Sequence, residues 1–354
     1  MENLIGTLGT LLVFGAIIVF HEFGHFIVAK RSGMLVHEFS VGFGPALFAK
    51  QVGPTLYALR LIPLGGYVRI AGMEPGEDEN TPGGFNTRPF AARFATILAG
   101  ATMNFVLAAV VLIILGLAVG FPTERTVING VIPNSPAAQA GIQKGDVIVE
   151  IEGTRNPNSG QVAQLIQESP PPVDLVVQRD GREVAFTLTP RRLSQTQRPV
   201  IGVEMATISS DFHRLSPVAS VKKGVVQVAD FTWKTVQGLA MLFTGRASMD
   251  QVMGPVGIVS TTHAVAKTAL LSAESMYRFL MLFAIISLNI GVVNLLPIPA
   301  LDGSRLLFLI AEGIRGKPFD RQKEAIVHMV GMVLLLGMIV LITIREVGRL
   351  FGGH

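Results

Sequence analysis

The stretch LLVFGAIIVFHEFGHFIVA, residues 11–29, decides how this chain is read. Residues 11–20 are uncharged and belong to an apolar run long enough to cross a bilayer, for which about 20 mostly apolar residues are needed. His21, Glu22 and His25 interrupt that run. Ionisable groups are expensive to place in lipid, so such a cluster marks a functional site by default. His21-Glu22-Phe23-Gly24-His25 fits H-E-x-x-H: side chains four residues apart share one face of a helix, so the two imidazoles can bind one ion. Glu22, one helical step of about 100° away, stays on the flank of that face. There it can reach an attacking water rather than the ion, the position of a general base. The alternative is a chance match on an amphipathic helix, which would leave the Glu22 carboxylate uncompensated in apolar surroundings.

Working outward, the 354 residues are 49% hydrophobic and only 15% charged, too apolar for an ordinary soluble protein. Four segments are apolar enough to span a membrane: residues 4–29, 97–121, 279–296 and 326–344. Residues 1–20 lack a basic n-region and an Ala-x-Ala-like cleavage site, so we expect a retained span rather than a signal peptide. The connection 30–93 carries seven Lys or Arg, and Arg305, Arg315, Lys317, Arg321 and Lys323 follow the third span. The positive-inside tendency puts both connections in the cytoplasm and both chain ends, with the central region, on the other side. A net charge of +4 is spread along the chain rather than gathered in a stripe, so nucleic acid is not an expected partner; the lipid bilayer is. With no cysteine, metal ligands must come from His and carboxylates.

A catalytic zinc usually takes three protein ligands, so a third is needed beyond His21 and His25. Asp302 is the best candidate, in Asn294-Leu295-Leu296-Pro297-Ile298-Pro299-Ala300-Leu301-Asp302-Gly303. The two prolines must end the third span, and Gly303 permits an unusual turn. Locally, Asp302 reads equally well as the N-cap of a helix over residues 304–314. His37, His213, His263, His328 and His354 have no partners at ligand spacing, and His328 reads as an interfacial residue.

Residues 123–203 change character, with short alternating apolar runs and an Asp180-Gly181 hairpin signal. We therefore expect four parts. Residues 1–121 hold two transmembrane helices with H-E-x-x-H, 122–205 form a β-rich extramembrane domain, 206–278 are an amphipathic membrane-surface region, and 279–354 hold two more transmembrane helices. Residues 74–84 read as a flexible acidic loop.

HEFGH in the first span together with NLLPIPALDG after the third resembles the bacterial site-2 protease family, close to RseP-type regulated intramembrane proteases. Gly42-Phe43-Gly44-Pro45, Pro63-Leu64-Gly65-Gly66-Tyr67, Gly100-x-x-x-Asn104 and Met253-Gly254-Pro255-Val256-Gly257 fit the same family in the same order. The resemblance implies a polytopic α-helical membrane protein of about four transmembrane helices, with a membrane re-entrant β-hairpin at about residues 56–73. It implies Zn2+ held by His21, His25 and Asp302, with Glu22 catalytic. It also implies substrate binding by Leu64, Gly65 and Gly66 of the hairpin and by Asn289 and Asn294. Residues 131–153, around Asn134-Ser135-Pro136 and Gly141 to Asp146, resemble a PDZ domain of the circularly permuted bacterial type. The implied activity is cleavage of single-span membrane proteins, such as anti-sigma factors or signal-peptide remnants, in a bacterial plasma membrane. A metal transporter and a non-catalytic PDZ adaptor are the alternatives; four spans with a PDZ-like insert offer the first no second half or inverted repeat, and the second has no evident need for the His-Glu-His-Asp set. Two departures stand out: Ser304 replaces a second glycine after Asp-Gly, and there is a single extramembrane domain rather than two in tandem.

Overall fold

The computed structural model describes residues 2–74, 81–192, 199–246, 253–317 and 319–351, so most of the expected acidic loop lies outside the described residues. The chain runs α1 (Glu2–Arg31), β1 (Val36–Val52), β2 (Thr55–Ile70) and α2 (Phe90–Ile114), then β3 (Phe121–Val131), α3 (Pro136–Ala140), β4 (Val147–Ile151) and β5 (Thr154–Arg155). Next come α4 (Ser159–Glu168), β6 (Val173–Arg179), β7 (Arg182–Leu188), β8 (Arg191–Arg192), β9 (Pro199–Val200) and β10 (Val203–His213). The chain ends in α5 (Pro217–Phe243), α6 (Pro255–Thr268), α7 (Ala273–Asn294), α8 (Asp302–Arg315) and α9 (Arg321–Phe351). It divides into two compact units, Gly120–His213 and the rest.

Four helices of the larger unit are long and apolar enough to cross a membrane: Glu2–Arg31, Phe90–Val119, Ala273–Asn294 and Gln322–Gly348. The second begins before residue 97, because Pro89 sits at the N-cap where its missing N–H costs nothing. It gives way to strand at Gly120, whose φ of +94° a side chain would resist. Where α1 crosses α2, a Cβ on Gly24 would overlap the Ala99 carbonyl, so the glycine lets the two backbones touch. Ala29, Met34, Val36, Ile70, Phe85, Ile97, Leu306 and Leu309 form one buried cluster. That cluster joins α1, the hairpin, α2 and α8, and it brings the start of α8 toward α1.

In the β1–β2 hairpin, residues 36–41 pair on one side with 66–70 and on the other with 56–59. Among the described residues the segment 66–70 is therefore an edge. Inside the hairpin, buried Glu38 accepts hydrogen bonds from Arg60 Nη2 (2.6 Å) and the Tyr67 hydroxyl (2.7 Å). Arg60 also donates to Ser40 Oγ and to the Gly44 carbonyl. Phe43, Leu47, Phe48, Leu61 and Ile62 are exposed, a set of large apolar side chains that water would not favour.

The smaller unit is a sheet of order β10-β3-β4-β6-β7 with β5 pairing β4. Its core gathers Ile128, Ile148, Ile151, Val162, Leu175, Val177 and Leu188, each worth about 1.5–3 kcal/mol when fully buried. The Asp180-Gly181 turn joins β6 to β7 with φ of +50° and +79°, the pair of left-handed residues that a two-residue hairpin demands. The unit continues beyond residue 205 because β10 pairs along the whole of β3 as far as His213 with Phe121. Helix α5 follows, within the 206–278 region expected to be amphipathic.

Asp146 is buried, accepting two hydrogen bonds from Arg179 (2.7 and 2.6 Å) and one from the Gln143 N–H (2.8 Å). Burial alone would raise its carboxyl, but Arg179 and the Gln143 N–H outweigh it and hold the group below the usual carboxylate range. Its stabilisation is thus present above the unfolded value of about 3.9 and is lost as pH falls through the lower folded value. We expect acidification from about pH 6 toward pH 3 to reduce hydrogen-exchange protection of Ile148 and Val177 in the full-length protein. Asp146→Asn should start from lower protection and show a flatter profile; an unchanged profile would remove Asp146 from the account.

Candidate metal centre

The H-E-x-x-H segment lies on α1, and its two imidazoles meet edge to face with ring centroids 4.8 Å apart. Their Nε2 atoms are 3.2 Å apart. Asp302 Oδ2 stands 3.1 Å from His21 Nε2 and 3.3 Å from His25 Nε2. A tetrahedral zinc with bonds of about 2.0–2.1 Å separates its ligand atoms by about 3.3 Å, so the triangle matches the face of such a site. Asp302 Oδ2 is also buried without a hydrogen bond among the described residues, as a carboxylate oxygen meant for a metal would be.

Several backbone features make the triangle possible. His25 Nδ1 lies 2.8 Å from the Thr96 carbonyl, which can only accept, so Nδ1 carries the proton and Nε2 offers its lone pair inward. Gly100, one turn further along α2, leaves the hole into which the rings project. A Cβ there would overlap His25 Nε2 and come within 2.9 Å of His21 Cε1. Gly303 is needed for close approach rather than for the left-handed turn its motif suggests, since a Cβ would overlap the Leu296 carbonyl. The positive φ falls on Ala300 instead, at +77°. Asp302 is the first residue of α8 and Leu301 occupies the cap position, so the capping alternative is not what the structure adopts. Ser304, the departure from a second glycine, is buried and donates to the Leu301 carbonyl (2.8 Å), closing the same turn.

Glu22 sits beside the triangle, and its Oε2 accepts from the Val68 N–H of the hairpin edge (3.2 Å). Asn294 reaches the site, with Nδ2 3.5 Å from His21 Nδ1. Asn289 instead accepts from Thr235 Oγ1 (2.7 Å), tying α7 to α5. Leu64, Gly65 and Gly66 lead into the edge segment. A Cβ on Gly66 would come within 2.6 Å of the Ser40 carbonyl, so the glycine permits tight pairing with β1. A cavity of about 570 Å³ opens behind Asp302, bordered by Arg93, Arg305, Glu312, Phe308 and His328. His328 was read as interfacial; it is the acceptor for the Ala300 N–H (3.2 Å) and so holds the Asp302 turn from α9. Sequence spacing could not reveal this, since the partner is a backbone group. His354 lies outside the described residues.

Residues 9–338 match the model of peptidase family M50. The zinc metalloprotease RasP of Geobacillus kaustophilus is 33% identical, over 99% of this chain and the whole of the relative. The regulator of sigma-W protease RasP of Bacillus subtilis is 31% identical, over 96% of this chain and 98% of the relative. Among solved structures, the PDZ domain of an SdrC-like protein from Listeria innocua aligns at 20% identity with a TM-score of 0.21, covering 26% of this chain and 99% of that domain.

Because the space at Gly100 is filled by the imidazoles themselves, Gly100→Ala should weaken zinc binding by about tenfold or more, on the scale of losing a partner that orients a ligand. Chelator competition on the purified protein measures this. Wild-type affinity in the variant would show that the hole is not required.

Proposed function

The chain belongs to peptidase family M50 and is an intramembrane zinc metalloendopeptidase, and on that premise we propose that His21, His25 and Asp302 hold the zinc while Glu22 is the general base. The observation that carries this reading is the triangle of Nε2, Nε2 and Oδ2 atoms with sides of 3.1 to 3.3 Å and a carboxylate at its flank. Zinc held by these three residues would supply Lewis acidity at the scissile carbonyl and acidify a water at the site. Glu22, with one oxygen engaged by the Val68 N–H, turns the other toward the water, takes its proton as it attacks the carbonyl carbon, and delivers that proton to the departing amine.

A helical substrate hides its peptide bonds in internal hydrogen bonds and must be drawn out before attack. We assign that task to the hairpin edge led by Leu64, Gly65 and Gly66, which pairs with an extended substrate segment by strand addition. The link from Val68 to Glu22 supports this, because it puts the open edge and the base side by side. Asn294, beside His21, is the amide we assign to the substrate backbone or the developing oxyanion; at Asn289 the Thr235 bond favours an interhelical role. The exposed Phe43, Leu47, Phe48, Leu61 and Ile62 support a hairpin that re-enters the membrane from the cytoplasmic side. The basic residues of the 30–93 and 305–323 connections support the same sidedness, with the β-rich unit outside the cytoplasm of a bacterial plasma membrane. We read that unit as a PDZ-like filter or docking module. The substrates are single-span membrane proteins, and a relative named as regulator of sigma-W protease favours anti-sigma factors among them.

The test pairs zinc analysis with cleavage of a model single-span substrate in detergent. Glu22→Gln should keep wild-type zinc and lose turnover by about 100- to 10,000-fold, the usual contribution of a positioned acid-base group. His21→Ala, His25→Ala and Asp302→Ala should each lose zinc. Wild-type turnover in Glu22→Gln, or stoichiometric zinc in the ligand variants, would sink the assignment.

A further inference from the structure

His25 has a hydrogen-bond partner suited to a ligand; His21 has a less obvious one. A histidine that binds metal through Nε2 carries its proton on Nδ1 and needs an acceptor there to fix the ring. Around His21 Nδ1 stand two side-chain amides, Asn104 at 3.3 Å and Asn294 at 3.5 Å, both facing it with Nδ2. Asn104 is fully buried, and among the described residues its Oδ1 has no hydrogen-bond partner. Asn294 is partly exposed and adjoins the turn to Asp302.

Asn104 is also held in place. Ser287 Oγ of α7 donates to its backbone carbonyl (2.8 Å), and at Gly291 of α7 an added Cβ would sit 3.3 Å from Asn104 Cβ. On α2, Thr96, Gly100 and Asn104 follow at intervals of four residues and so share one stripe of the helix. The first offers an acceptor to His25 and the second offers space to both rings.

We propose that Asn104 is the positioning residue for His21: its side-chain carbonyl accepts from Nδ1–H in the zinc-loaded enzyme and aims Nε2 at the metal. With Nδ2 facing the ring, Nδ1 accepts and the proton resides on Nε2, which then has no lone pair for zinc. A half-turn of the amide about χ2 exchanges its two ends, presents Oδ1 to Nδ1–H, and leaves the Nε2 lone pair for the ion. An amide serves both tautomers, whereas a carboxylate serves only the loaded one and an alkyl group neither.

This rests on the ligand assignment above, so the experiment separates the two. Zinc affinity is measured by chelator competition on full-length wild type, His21→Ala, Asn104→Leu and Asn104→Asp in detergent, with thermal unfolding as a check of folding. Asn104→Leu should bind zinc about 10- to 100-fold more weakly, the range for loss of a partner that orients a ligand, while Asn104→Asp stays within a few-fold of wild type or binds more tightly. Should Asn104→Leu fail to fold, Asn104→Ala takes its place in the same comparison. If the apolar variant matches wild type, or if Asn104→Asp falls as far as the apolar variant, the positioning role is overturned while a zinc-deficient His21→Ala keeps the ligand assignment standing. If His21→Ala binds zinc like wild type, both fall together.

Discussion

Two imidazoles and a carboxylate drawn from opposite ends of the chain have ligand atoms within 3.3 Å of each other, among helices built to lie in lipid. Without a cation this convergence is unfavourable, since the effective penalty for burying one ion is several kcal/mol. A dication at the centre would reverse the sign, and the surrounding structure holds the three groups together. The crossing of α1 over α2 at Gly24 and Ala99 sets the depth of the rings, Gly100 opens the space they fill, and Gly303 lets the Asp302 turn fold back on Leu296. None of these glycines touches substrate chemistry. Each removes a methyl group that would push a ligand out of reach.

The hairpin meets α1 at the flank of this triangle. Its edge segment reaches α1 through the bond from the Val68 N–H to Glu22, so the Glu22 carboxylate is positioned by a backbone group of the open strand edge. The hairpin in turn is braced from within by a polar network of Glu38, Arg60 and Tyr67, with Phe43 stacked on the Tyr67 ring. A fully paired network of this kind rigidifies what surrounds it, whereas an unpaired Glu38 in the same place would be costly.

How much of this could be read from the sequence follows the range of the interaction. His21, Glu22 and His25 were legible because their relation is set by helical geometry over four residues. Asp302 was ambiguous on local grounds, since cap and ligand look alike until the turn is folded; only there does Leu301 take the cap position. The Thr96 carbonyl and the Ala300 N–H left no trace, because backbone groups have no residue identity, and the part His328 plays in that turn was invisible for the same reason. At the β-rich unit the alternation fades in Thr207-Ile208-Ser209-Ser210, a mostly polar stretch that β10 places in a long ladder with β3, so its far boundary was hard to see.

Helix α9 shows how distant parts bear on the metal turn. None of its most apolar window is buried, so packing against a core does not fix it. It is attached near its two ends by polar contacts. At the C-terminal end Glu346 accepts from the Gly254, Val256 and Gly257 N–H groups, occupying the N-terminus of α6, where a carboxylate both satisfies unpaired donors and meets the positive end of the helix dipole. At the other end, Gly331 lies so close to Pro299 that a Cβ would overlap it, and His328 accepts from the Ala300 N–H. Ala300 holds a φ of +77°, which a residue with a Cβ keeps only when its surroundings over-determine it. The His328 bond and the Ser304 bond to Leu301 are those surroundings, and two residues later the same turn presents Asp302. The seating of an otherwise exposed helix and the placement of the Asp302 carboxylate are therefore one mechanical problem.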